Sequence, residues 1–122
     1  MSLARPDKRG WRHIPAAMRY SLQGLRTAFL GEAAFRLVVL LNLVLIPLAF
    51  YLELSAVERA LLIGVSLLAL VIELLNSALE AAVDRISLAQ HPLSKNAKDM
   101  GSAAQLVTFV LILVVWTLVL LG

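Results

Sequence analysis

The chain has 122 residues, of which 61% are hydrophobic and 16% charged, with 11 Lys+Arg against 8 Asp+Glu and no cysteine. A mean hydropathy of +0.87 is too apolar for a soluble domain of this size, since so short a chain lacks the polar surface to wrap three long apolar stretches. Composition excludes disorder, collagen and coiled coil, and the missing thiols exclude disulfides, thiolate zinc sites, iron–sulfur ligation and cysteine nucleophiles. The sequence reads as one all-α, membrane-embedded domain over residues 1–122.

The first element in chain order is a basic amphipathic helix over about residues 12–31. Arg19, Gln23, Arg26 and Leu30 follow one helical row while Met18, Leu22, Leu25 and Phe29 follow another. With Trp11 and Tyr20 as interfacial anchors, this helix is expected to lie in the surface of an anionic leaflet, although a plain basic topology signal accounts for the same charges. A cleaved signal peptide is a poor reading, because the first apolar run ends without a small-residue cleavage pattern.

Three spans follow, over about residues 33–52, 57–86 and 99–121. The first holds the charge-free stretch Leu37 to Leu52, with Pro47 inside it predicting a bend or an early helix end. In the second only Ala60 to Ile72 is free of charge, yet no breaker appears before Ser87, so the helix is expected to continue through Glu73, Asn76, Glu80 and Asp84. At 1.5 Å per residue such a helix measures about 45 Å, more than a hydrocarbon core of about 30 Å, so one end emerges into the headgroups. The third holds the charge-free stretch Ala103 to Leu121, with Trp116 near one end and Asp99 placed to favour its N-terminus.

Basic residues set the direction. Arg5, Lys8, Arg9, Arg12, Arg19, Arg26 and Arg36 precede the first span, Arg85, Lys95 and Lys98 follow the second, and only Arg59 lies in the turn between. The N-terminus and the loop at 85–98 are therefore expected on the cytoplasmic side, with the C-terminus across the membrane. The positive balance points to a membrane, and nothing in the sequence suggests a nucleic-acid partner.

Glu73, Asn76, Glu80 and Asp84 stand at steps of three, four and four, which gathers them on one stripe of the second span. Glu73 is about 18 Å along the helix from Arg85. A carboxylate at that depth costs about 2.5–3.5 kcal/mol on insertion scales and so calls for a partner, a proton or a metal. Glu32, Lys95, Asn96, Lys98 and Asp99 fall on the same side, an inventory of oxygen ligands and cations suited to Mg²⁺ and phosphates. A carboxylate at that depth reads by default as a functional site; interhelical polar contacts are the alternative for Glu73, Asn76 and Glu80, and local pairing the alternative for Asp84. His13 and His91 lack metal-ligand spacing, and His91-Pro92 is read as shaping a loop. Taken alone, the stripe also fits a non-enzymatic assembly subunit or a small cation-coupled transporter.

Three strings carry a more specific signal: Gly31-Glu32-Ala33-Ala34-Phe35-Arg36, the run from Glu73 through Leu74-Leu75-Asn76-Ser77-Ala78-Leu79-Glu80 to Asp84-Arg85, and Ala97-Lys98-Asp99-Met100-Gly101-Ser102. In order and spacing they resemble the small prokaryotic diacylglycerol kinases, integral membrane lipid kinases. The resemblance implies a homotrimer in the bacterial inner membrane, with three spans and a surface helix per subunit and sites formed partly between subunits. It implies transfer of the γ-phosphoryl group of MgATP to diacylglycerol, giving phosphatidic acid. It further implies Glu73 as general base, Glu32 and Glu80 as Mg²⁺ ligands, and Asn76, Lys98, Asp99 and Arg12 with Glu32 and Glu80 around the nucleotide. Asp84, Arg26 and Ser102 would support the site or the lipid. His13, Gln23 and Leu37-Val38 depart from the family pattern. Undecaprenol kinases share the framework and remain the alternative, while Met100-Gly101-Ser102 after Lys98-Asp99 favours diacylglycerol.

Overall fold

The computed structural model describes residues 10–122, so Arg5, Lys8 and Arg9 lie outside the described residues. A short 3-10 turn, Gly10–His13, leads into α1 (Ile14–Gly31), α2 (Ala33–Tyr51), α3 (Ala56–Ile86) and α4 (Pro92–Leu121), with no strand among the described residues. Three of these helices, α2, α3 and α4, are long and apolar enough to cross a membrane. α3 is the central element, against which α2 and α4 each pack. Val38, Ala49, Leu62, Ala69, Ile112 and Trp116 form the shared core along that seam.

Each corner has a local chemical cause. Glu32 is extended (φ −124°, ψ 109°) between α1 and α2, and its N–H closes α1 on the Ala28 carbonyl. The Arg36 Nη1 then donates to the carbonyls of Phe29 (2.7 Å) and Leu30 (3.2 Å), satisfying acceptors that the end of α1 leaves free. α2 runs through Pro47 to Tyr51 without an early end, since the proline removes only one hydrogen bond while Ala49 belongs to the buried core and Leu45 packs against it. Arg59 holds the far end: its Nε donates to Ala49 O at 2.9 Å and its Nη2 to Leu52 O at 3.1 Å. α3 opens on a reciprocal cap in which the Glu58 N–H donates to Ser55 Oγ and the Ser55 N–H to Glu58 Oε1.

α4 begins at Pro92, earlier than the third apolar stretch suggests. The His91 Nδ1 accepts from the Leu93 N–H at 3.1 Å, and Pro92 occupies the first turn where no donor is needed. Asp99 therefore does not cap the helix. It stands two turns inside, paired with Lys95 at 2.6 Å one turn before it.

Candidate active site

The polar stripe of α3 faces the seam between its neighbours. Glu73 is 5% exposed, Asn76 and Glu80 are half-buried, and Asp84 is exposed. A cleft of about 550 Å³ has α3 as its floor, contributing Glu73, Asn76, Ser77 and Glu80. The start of α2 forms one wall with Glu32, Ala34, Leu37, Val38 and Leu41, and α4 forms the other with Ser102, Gln105, Leu106 and Phe109. The extended backbone at Glu32 is what brings a fourth acidic or amide group beside the three on α3.

Asp84, Lys98 and Asp99 belong to a second, adjoining pocket at the turn between α3 and α4, lined also by Ser87, Gln90, His91, Lys95 and Asn96. Lys98 Nζ donates to Asp84 Oδ1 at 2.7 Å and ties the two helices at that end. The hydrogen bond to Asp84, with the charges of Asp84 and Glu80 adding to it, holds the Lys98 ammonium above the ordinary lysine value, against a smaller opposing effect of burial. This residue precedes the charge-free part of α4 and carries its positive charge toward the Glu80 end of the cleft. Arg12, exposed in the turn before α1, and Arg26, in a shallow groove on α1 with Met18, Arg19 and Leu22, do not line either pocket.

The cleft is acidic. Its polar lining is three carboxylates, two amides and two hydroxyls, and no cationic side chain lies among its lining residues. Polyanionic phosphates enter such a space only with counter-charge, and the donor set is entirely oxygen, the chemistry Mg²⁺ prefers. Among the described residues no group of three or more acidic or histidine side chains forms a ready-made cage. Glu32 and Glu80 with the phosphates and retained water fit a nucleotide-borne Mg²⁺, which commonly takes only one or two protein carboxylates. Asn76 lines the same cleft, and its Oδ1 is buried against Gly101 of α4 without a hydrogen-bond partner.

Gly101 lets α4 come this close. A Cβ there would collide with the Asn76 side-chain oxygen and stand 3.1 Å from a Leu79 methyl group. Gln105, which the spacing of charged residues passes over, reaches across from α4. Its Nε2 donates to Ala69 O at 3.0 Å and to Glu73 Oε2 at 3.1 Å. The signal that could have found it is an amide inside nineteen charge-free residues, immediately after the small-residue run Gly101-Ser102-Ala103-Ala104.

The model of the family described as prokaryotic diacylglycerol kinase matches residues 19–120. A diacylglycerol kinase of Pseudomonas aeruginosa is 64% identical over 113 residues, 93% of this chain and 92% of its own length. The diacylglycerol kinase of Escherichia coli K12 is 43% identical over 111 residues, 91% of each chain. One from Helicobacter pylori is 45% identical over 114 residues, 93% of this chain and 86% of its own.

Proposed function

The chain belongs to the prokaryotic diacylglycerol kinase family, and on that premise we propose that it phosphorylates diacylglycerol with ATP in the cleft floored by α3. The observation that carries the site is the burial of Glu73 at the foot of a cleft whose wider lining holds Glu32, Asn76 and Glu80.

Chemistry follows from that placement. The acceptor is a primary hydroxyl on a lipid, which reaches the cleft sideways through the apolar wall of Leu37, Leu41, Leu106 and Phe109. Glu73 takes the hydroxyl proton as the oxygen attacks the γ-phosphorus, and the bond to the departing ADP breaks, leaving phosphatidic acid. Glu32 and Glu80 would hold the Mg²⁺ that arrives with the nucleotide, whose charge offsets the one developing on the transferred group. Asn76 and Ser102 orient the phosphates, and Lys98 supplies positive charge at the Glu80 end, with Asp84 and Asp99 fixing the turn that bears it. Arg12 and Arg26, away from the cleft, are assigned to approaching nucleotide and lipid headgroups.

The nucleotide comes from the cytoplasm. The distribution of basic residues supports an inner-membrane protein with its N-terminus and the turn between α3 and α4 on that side, and with the C-terminus on the periplasmic side. A homotrimer suits the exposed apolar flanks, since no more than 22% of any spanning window is buried within one chain.

The test is transfer of labelled phosphate from ATP, by purified protein in lipid micelles, to diacylglycerol and to undecaprenol in parallel. Diacylglycerol is expected to accept label far faster, and only with Mg²⁺ present. Preference for undecaprenol would overturn the substrate assignment, and transfer to neither by folded protein would overturn the kinase reading.

A further inference from the structure

Glu73 is anchored by a neighbour on another helix. Gln105 is 7% exposed, and its amide nitrogen has two hydrogens and two acceptors, Ala69 O and Glu73 Oε2. Both donors are thus committed, and the side chain is pinned between the α3 backbone and the carboxylate. The other carboxylate oxygen, Glu73 Oε1, accepts no hydrogen bond among the described residues, and Glu73 and Gln105 both line the cleft.

We infer that Gln105 is a positioning residue for phosphoryl transfer: it engages Glu73 through Oε2, fixes the plane of the carboxylate, and leaves Oε1 to the incoming hydroxyl. The inference rests on the reading of Glu73 as the general base. A flexible carboxylate with three side-chain torsions must otherwise be ordered anew in each turnover, whereas a proton acceptor has to lie within hydrogen-bond reach of its proton. The choice of an amide matters. A lysine or arginine at position 105 would pair with the carboxylate as a salt bridge and compete with the substrate for it, while an amide holds it without adding charge. The bond to Ala69 O fixes the donor in turn, at the helical turn from which Glu73 projects.

A purely structural role, the joining of α3 to α4, makes a different prediction. The discriminating experiment measures kcat and both KM values, for MgATP and for a short-chain diacylglycerol in mixed micelles, in Gln105→Met, Glu73→Asp, their combination and Glu73→Gln. Methionine matches glutamine in length and donates nothing. For Q105M the expected result is a fall in kcat of about tenfold or more with both KM values within about twofold of wild type. On top of E73D, whose carboxylate is one methylene short of the amide, Q105M is expected to slow the enzyme by no more than about twofold.

Wild-type kcat in Q105M, or a full multiplicative loss in the combination, would overturn the inference. Should Q105M fail to fold, Gln105→Asn keeps the amide but shortens its reach, and the same two criteria apply to it. E73Q tells the two roles apart. Wild-type activity there overturns the reading of Glu73 as base, whereas an inactive E73Q beside a fully active Q105M overturns only the role of Gln105.

Discussion

Position 101 governs how closely α4 approaches the polar stripe of α3. Any side chain there meets Asn76 and Leu79, so Gly101→Ala is expected to force the helices apart or turn Asn76 out of the cleft. Overpacking of this kind costs about 1–3 kcal/mol, visible as a lower midpoint of thermal unfolding in detergent, and displacement of Asn76 lowers the transfer rate as well. An unchanged midpoint and rate would contradict the tight approach. The stripe itself was legible in the sequence, because steps of three, four and four admit only one helical face. The cover over each residue was not: Glu73 is buried with Gln105 of α4, 32 positions later, bonded to its carboxylate, whereas Asp84 stays exposed beside the turn between α3 and α4 although Lys98 pairs with it. Asp99 was misread for a related reason, since a helix start was sought at the first apolar residue whereas His91 and Pro92 set it in polar sequence.

Helix ends, held by single side chains, decide whether the elements meet in the right register. Arg36 closes the corner at which Glu32 leaves the helical path, so Arg36→Leu is expected to loosen α1 on α2 and move Glu32 from the cleft. The measurable consequence is a raised KM for MgATP with the spanning helices intact by circular dichroism, and an unaltered KM would count against this role. At the opposite end, Ser55→Ala removes half of the reciprocal cap on α3, a change worth about 1 kcal/mol in stability with little effect on rate, since the site lies at the other end of the helix. Loss of activity without loss of stability would contradict that separation. The existence of the four helices follows from apolar periodicity, but the corners do not. The contacts of Arg36 and Arg59 are made to backbone carbonyls six to ten residues earlier in the chain, and a backbone acceptor leaves no mark in the sequence.

For the molecule as a whole, most apolar surface of α2, α3 and α4 is left uncovered by the chain's own residues. That surface faces lipid or other copies of the chain. The absence of cysteine makes direction testable, because one introduced thiol is a unique reporter. In intact spheroplasts an impermeant maleimide is expected to label Glu53→Cys, in the turn between α2 and α3, and to reach Gln90→Cys, between α3 and α4, only in inverted vesicles. The reverse pattern would place the catalytic end away from cytoplasmic nucleotide and contradict the proposed orientation.

In the proposed reaction the carboxylate of Glu73, buried at the foot of the cleft, accepts the proton of the acceptor hydroxyl. The most direct test of this proton transfer is the rate of phosphoryl transfer to diacylglycerol by Glu73→Gln, purified beside the wild type and shown by circular dichroism and size-exclusion chromatography to fold and assemble alike. Glutamine keeps the shape and loses the base, so the rate is expected to fall by about 10²-fold or more with little change in KM for MgATP. A folded E73Q protein that transfers phosphate at close to the wild-type rate would rule out Glu73 as the base.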